Sequence, residues 1–465
     1  MRSAALISVC SLAIAASAQA QRALTLDETL ALAQRNNRDL QAAREALGQV
    51  EAVVEQVRAQ LLPTVALQGR YTYNYPSAAL DPKTFTAATD GLAGLLQGTT
   101  SDPLQAAALQ AFRDQLAIQA GQPITIVKEH QLDFSASAQV PLVVPGAYPA
   151  YKSARRQRLA AAANVEVSEA QLLLGAATGF YAAAGTDELL TARRHAVEVA
   201  AETVRNAKAR LQAGVVNRVE VTRAELAYNR AAQQLEESED ARAQAYRALA
   251  TLIQLRDPFV VRPAERTFVD RPLTELQRDA PALRPEVRAY DLNVDAQGAA
   301  AFSGWLRWLP TLSAFGRFAA GNYQSFSGKQ YSIATGLQLD WVLYDGGLRD
   351  ATRHAAAAQQ RALELQRAQL RDNINDDIVK ADQERATKRN ALKTAEKAVA
   401  LSQETLGLVR AQHDAGTATQ LDLLQAQDSL ATAEAAVAQA RFDLVLGELQ
   451  LARAAGTFPP RGSAR

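Results

Sequence analysis

The sequence predicts a mixed α/β chain suited to a membrane, built twice from one helix, strand, strand, helix, helix unit, and three observations carry that prediction. Landmarks recur in the same order in both halves; two predicted helices run to about 66 residues, roughly 100 Å at 1.5 Å per residue, too long for a globular domain; and short segments alternate polar and apolar residues, as the strands of a water-filled barrel do.

The first 20 residues combine Arg2, an apolar run from Ala4 to Ala16 and the small-residue site Ala18-Gln19-Ala20, which reads as a cleavable secretory signal (1–20). Cys10, the only cysteine, lies inside that segment. A mature chain beginning near Gln21 would therefore hold no disulfide and no thiolate. Lys plus Arg number 50 and Asp plus Glu 49, so loss of Arg2 with the leader brings the formal charge to zero. Nothing in that balance favours a nucleic-acid partner. Beyond residue 20 no apolar stretch reaches the length of a spanning helix, so any crossing of a membrane must be made by strands.

The duplication rests on paired landmarks. Leu62-Pro63-Thr64 and Leu309-Pro310-Thr311 lie 247 residues apart, with Gly69 matched to Gly316. Ala213-Gly214 and Ala415-Gly416 lie 202 apart, with Val219-Glu220-Val221 matched to Leu421-Asp422-Leu423. The difference between the two offsets is absorbed by an insertion at about 76–128. The first repeat is assigned to 21–256, a connecting segment to 257–282, the second repeat to 283–455 and a tail to 456–465.

In the first repeat a helix is expected over 26–62, ended by Pro63, which cannot continue the hydrogen-bond ladder. Strands follow at 64–75 and 131–143. The long helix then spans 147–212, stopped by Gly214, and another continues to about 255. The second repeat is expected to place helices at 283–309, 347–414 and 417–455, turning at Gly416, and strands at 311–320 and 331–343. In the helix after Gly416 one heptad stripe runs through Leu421, Leu424 and Asp428 and a second through Leu423, Ala426 and Leu430. Two stripes on nearly opposite sides mean two helical neighbours, as in the wall of a helical barrel.

Within the strands, Gln68, Arg70 and Thr72 alternate with Leu67, Tyr71 and Tyr73, and Trp341 closes the last strand. The polar set is expected to face a lumen, and Tyr71, Tyr73 and Trp341 to face lipid. A soluble sheet with one wet face would alternate in the same way; the secretion leader and the lack of a globular partner favour the membrane. Four strands cannot close a barrel, and hydrocarbon does not tolerate an open edge. Three copies would supply twelve strands. The insertion at 76–128, with a helix expected near 104–118, would lie outside the cell either as a lid or as a tolerated loop.

Taken together, Leu24-Thr25-Leu26-Asp27-Glu28 with the residues to Asn37, the two Leu-Pro-Thr strand entries, Tyr344-Asp345-Gly346-Gly347, and the stretch from Gly416 to Gln427 resemble the TolC family of outer-membrane efflux proteins over nearly the whole mature chain. The resemblance implies a homotrimer whose 12-stranded β-barrel in the outer membrane is continuous with a long α-helical barrel in the periplasm of a Gram-negative cell. It further implies a passive exit duct in a tripartite efflux pump or type I secretion system, joined to a periplasmic adaptor and an inner-membrane pump of the RND, ABC or MFS type. The runner-up is a periplasmic coiled-coil adaptor or interaction protein, which would not need two alternating strand pairs.

No catalytic motif, metal site or cofactor is expected. His130, His195, His354 and His413 lack ligand spacing, and Asp372 with Asp376 reads as a solvated helix face. Glu220 and Asp422 follow Gly214 and Gly416 by six positions, so a threefold axis would make rings of carboxylates at the periplasmic entrance. In the resembled family an acid at the Asp422 position narrows that entrance, helped by a second acid, a Tyr and an Arg. Here those three positions hold Gln425, His413 and Ala418, which implies a weaker closed-state lock.

Overall fold

The computed structural model describes residues 22–80, 91–92, 94–96, 98–99, 102–119, 124–263, 270–322 and 329–458. The leader at 1–20 and much of the 76–128 insertion lie outside the described residues, as does the end of the tail. The chain divides into two compact units, one made of residues 1–52, 155–296 and 358–465 and the other of 53–154 and 297–357.

The first unit is helical. It opens with β1 (Arg22–Leu24) and α1 (Leu26–Asn36), whose first turn is closed by a capping box between Thr25 and Glu28. The expected single helix over 26–62 is in fact two, α1 and α2 (Arg38–Ala59), broken at Asn37. The Asn37 side chain accepts from the backbone N–H groups of Asp39 (2.9 Å) and Leu40 (3.1 Å) and donates to the Leu252 carbonyl (3.2 Å). It caps the new helix and ties the break to the packing around it.

After α2 come the strands β2 (Thr64–Tyr73), β3 (Ala78–Leu80), β4 (Ile124–Val127) and β5 (His130–Val143), with α3 (Pro103–Gln119) between β3 and β4. Then follow α4 (Ala147–Gln212), α5 (Arg218–Ile253), β6 (Phe259–Val261), α6 (Leu273–Leu283), α7 (Pro285–Leu306), β7 (Thr311–Gly321), β8 (Tyr331–Asp340), α8 (Leu348–Asp414) and α9 (Gln420–Ala454). α6 and α7 repeat α1 and α2 at both ends with the offset of 247. The repeat therefore starts earlier than 283, inside the segment read from the sequence as a connection.

Three apolar clusters are found among the described residues of the helical unit, a small one around Ala207, Val221 and Ala224 and two larger ones. In one of the larger two, Leu24, Leu26 and Leu30 meet Ala177 and Phe180 of α4, Leu249 and Ile253 of α5, and Phe259 and Val261 of β6. β1 lies parallel to β6 there, pairing Leu24 with Val261. In the other, Leu276 and Ala280 of α6 meet Ile374 and Ile378 of α8 and Leu451 and Ala454 of α9. The many alanines let helix axes approach closely, and burial of the large residues between them supplies roughly 1.5–3 kcal/mol for each fully buried Leu, Ile or Phe.

The second unit is built on a four-stranded antiparallel sheet in the order β2-β5-β7-β8. β2 and β8 stop at Tyr73 and Asp340, so Trp341, expected within the last strand, lies just beyond it. Where β8 gives way to α8, Arg349 is buried: its Nε donates to Asp345 at 2.8 Å and its guanidinium lies 4.2 Å from the centre of the Trp308 ring. Burial would raise the Asp345 carboxyl, but hydrogen bonds from the Arg349 backbone and side chain outweigh it and hold that carboxyl below its usual range. No helix among the described residues is long and apolar enough to cross a membrane.

Candidate functional site

The sheet separates its residues by face. Cross-strand partners point the same way, and the register pairs Gln68 with Ser135, Arg70 with Asp133 and Thr72 with Gln131, then Ser135 with Ala319 and Ser137 with Arg317, then Ala319 with Ser332. One face therefore carries the polar residues of all four strands, with Phe315 also on it. The opposite face carries Val65, Leu67, Tyr71 and Tyr73, then Leu132 and Phe134, Phe318, and Ile333, Leu337 and Leu339. Leu67 is 71 % exposed, Leu337 68 % and Tyr71 60 %, so the apolar face is the bare one. A soluble sheet buries such a face against a core; here the apolar face is left exposed.

Aromatic side chains mark both ends of that face. At the end with the strand connections, the Tyr71 hydroxyl meets His130 Nδ1 at 2.8 Å, Tyr73 lies against the same imidazole, and Phe318 stacks on Tyr331. At the end where helices enter, Trp341 Nε1 donates to the Trp308 carbonyl at 3.1 Å, and both indoles are exposed. A ten-residue strand tilted by about 40° spans roughly 25 Å, the height of a lipid-facing apolar band between aromatic girdles.

In the helical unit the two turns are built alike. Gly214 and Gly416 adopt φ +74° and +78°. Val215 N–H donates to Arg210 O and Thr417 N–H to Gln412 O, while Gly214 and Gly416 donate to Leu211 O and His413 O, the Schellman pattern at both ends. Asn217 and Thr419 then cap α5 and α9 by accepting from the N–H groups of Glu220 and Asp422. Every one of these positions is repeated at the offset of 202.

The two acids differ in their surroundings. Asp422 closes a capping box: its Oδ2 accepts from the Thr419 hydroxyl at 2.6 Å and the Thr419 N–H at 2.9 Å. These donors hold its carboxyl below the usual range. The recorded partner of Glu220 at its cap is made through its backbone N–H, and Gln425 is exposed on α9. His413 is half-buried, with Arg210 Nη1 donating to its Nε2 at 2.8 Å. Arg210 was not singled out from the sequence; its position one turn before Gly214 was the available signal.

His195, by contrast, lies 3.7 Å from Glu434 and His354 3.7 Å from Asp350. Among the described residues no three His, Cys, Asp or Glu side chains are grouped as a metal site. Alongside His195 a groove of about 530 Å³ runs past Leu226, Leu421, Leu424 and Leu430. The stripe through Leu423 and Ala426 is buried, whereas Leu421 and Asp428 of the other stripe stay exposed on that groove.

The model of one protein family, described as outer membrane efflux protein, matches residues 127–253 and 276–457, more than half of the chain. Among solved structures, the fold is similar to the Campylobacter jejuni CmeC outer membrane channel, at 15 % identity over 93 % of this chain and 85 % of that one with a TM-score of 0.72. It is similar to the outer membrane protein VceC of Vibrio cholerae at 16 % identity, over 93 % and 96 %, with a TM-score of 0.71. The open state of the Neisseria gonorrhoeae MtrE outer membrane channel matches at 19 % identity, over 93 % and 88 %, with a TM-score of 0.69. No curated protein matches the chain.

Proposed function

The chain belongs to the outer membrane efflux protein family of TolC type, and from that premise we propose that three copies close a single twelve-stranded barrel. As a member of that family it is an outer-membrane efflux channel that extends into the periplasm, a transport protein of the kind that serves tripartite pumps. The adaptor-like alternative is not favoured.

The observation that supports the trimer is the sheet itself: its apolar face is exposed, and among the described residues β2 and β8 are its edge strands. Hydrocarbon leaves no water to satisfy an edge, so the sheet must meet other copies of itself. Two copies would make eight strands, whose bore side chains fill; three make twelve and leave an aqueous lumen. The exposed start of α9 at Leu421 and the groove beside it give a second copy a surface in the helical unit as well. In this reading Gln68, Arg70 and Thr72 line the lumen, and Tyr71, Tyr73 and Trp341 contact lipid. The helical turns at Gly214 and Gly416 form the periplasmic end, where an adaptor joins the channel to an RND, ABC or MFS-type pump.

Single cysteines test the lumen assignment cleanly, because Cys10 is the only native one. A maleimide confined to water should label Arg70→Cys and Thr72→Cys in reconstituted protein and spare Tyr71→Cys and Tyr73→Cys. The inverse pattern would overturn the barrel reading, since a one-residue slip flips every side chain.

At the periplasmic end, Asp422 and Glu220 supply carboxylate rings, with His413 and Gln425 in the places of stronger closing groups. The lowered Asp422 pKa keeps that ring charged at neutral pH. Its capping contribution is present above the unfolded carboxylate value of about 3.9 and is lost as pH falls through the lower folded value. Asp422→Asn is expected to reduce cation preference and block by multivalent cations in bilayer recordings while trimers still assemble. Recordings indistinguishable from the parent channel would remove Asp422 from the constriction.

A further inference from the structure

We propose that copies of the chain join in the helical unit through one heptad seam, in which Leu401, Glu404 and Leu408 of α8 pack on Val219, Arg223, Leu226 and Arg230 of α5 in the next copy. This rests on the trimer reading above. Leu401 and Leu408 lie one heptad apart and are 64 % and 60 % exposed; Val219 and Leu226, also a heptad apart, are exposed as well. In each helix these residues stand opposite the face that the chain itself covers. Val221 and Ala224 turn α5 toward Ala207 of α4, and at 3.6 residues per turn Val219 and Leu226 point the other way. On α8, Leu406 lines the groove and His413 meets Arg210 of α4. Leu401, Glu404 and Leu408 lie about half a turn round the helix from them.

The duplication identifies what covers these faces. Within one chain α4 meets α9: Gln427 Nε2 donates to the Thr203 hydroxyl at 3.1 Å, and Arg441 pairs with Glu188. At the offset of 202 the counterparts of α4 and α9 are α8 and α5. A wall that treats its two repeats alike therefore makes the same contact again between α8 and α5. Both of those faces are exposed in the single chain, so the repeated contact falls between copies. Carried through the offset, Thr203 and Gln427 become Thr405 and Glu225, and this sets the antiparallel register. Glu404 stands level with Leu226, between Arg223 and Arg230, while Leu408 stands level with Thr222, between Val219 and Leu226. Apolar knobs then interleave, and an exposed carboxylate faces two exposed guanidinium groups, the flanking charge pattern that fixes partner and register in coiled coils. Rotation about the channel axis preserves height, so a head-to-tail contact of this kind closes into a ring of three.

Crosslinking of the full-length protein provides the test, in a Cys10→Ser background that removes the only native cysteine. Purified L226C/L408C treated with a short bismaleimide should run as covalent dimers and trimers on a denaturing gel. L401C/L408C, with both thiols on α8, should stay monomeric. Adding E404R to L226C/L408C should cut the covalent product several-fold, and adding R223E/R230E to that variant should restore it. Should the cysteine pairs fail to assemble, the same charge changes in the parent chain are read by the temperature at which unheated trimers dissociate, lowered by E404R and recovered in R223E/R230E/E404R. Intact trimers that give no covalent product with L226C/L408C, or that link through L401C/L408C, would overturn the seam and leave the trimer standing. An E404R dissociation temperature equal to the parent's, or one that R223E/R230E does not recover, would do the same. A parent protein that never runs as a trimer would overturn both.

Discussion

Leu337→Arg is expected to abolish recovery of assembled protein from the outer membrane, whereas Gln338→Arg, one residue along the same strand, is expected to be tolerated. Leu337 pairs with Ala314 on the bare apolar face. An arginine facing lipid near the middle of a barrel strand costs about 2–4 kcal/mol. Three copies in one barrel would multiply that to roughly 6–12 kcal/mol, comparable to the whole stability of a typical protein. Gln338 lies on the polar face, where its Nε2 already donates to the Asp340 carboxylate at 3.0 Å. An arginine there meets water and an acid. Membrane fractionation followed by unheated gel electrophoresis reads both outcomes. Equal recovery of the two variants would mean that β8 does not present Leu337 to lipid.

The alternation of Gln68, Arg70 and Thr72 with Leu67, Tyr71 and Tyr73 was legible because side-chain direction in a strand follows from sequence spacing alone. The helix ends at Gly214 and Gly416 were legible because only glycine enters the left-handed region without strain. The break at Asn37 was not: helical periodicity continues across it, and the carbonyl that helps hold it belongs to Leu252, far along the chain. β1 and β6 are three residues each, too short for any period to show. α6 was hidden by Pro281 inside it, which reads as a stop although the helix passes through it. At the candidate entrance, Asp422 and Glu220 were visible through the repeat, yet the Thr419 donors that occupy Asp422 and the Arg210 contact to His413 depend on geometry. A cavity on the polar face was likewise illegible, since it needs the register that brings Arg70 and Arg317 to one face.

Gly456→Ala should destabilise the protein far more than Gly416→Ala, although both glycines end a helix at nearly the same φ, +72° and +78°. The left-handed conformation alone costs a residue with a Cβ about 1–2 kcal/mol. At Gly416 nothing lies within 4 Å of an added Cβ, so that is the whole expected cost. At Gly456 the new carbon would meet Leu283 Cβ at 2.9 Å, Arg284 Cγ at 3.1 Å and the Arg284 backbone nitrogen at 3.2 Å. Arg284 cannot easily withdraw. Its side chain is only 10 % exposed and is flanked by Glu286 and Asp377, each 3.5 Å away. Crowding of this kind adds about 1–3 kcal/mol, for a total of roughly 2–5 kcal/mol at Gly456. The equivalent position 202 residues earlier is Gln254, which already bears a side chain at φ +55° while Leu255 N–H closes the turn on Ala250 O. Gln254→Gly should therefore stabilise by up to about 1 kcal/mol, the relief of strain being partly offset by the greater freedom of glycine in the unfolded chain. Thermal unfolding of the three purified variants at one protein and detergent concentration ranks them. The expected order of midpoints, from highest, is Gln254→Gly, parent, Gly416→Ala, Gly456→Ala, and a Gly456→Ala midpoint equal to that of Gly416→Ala would mean that the contact with Leu283 and Arg284 does not exist.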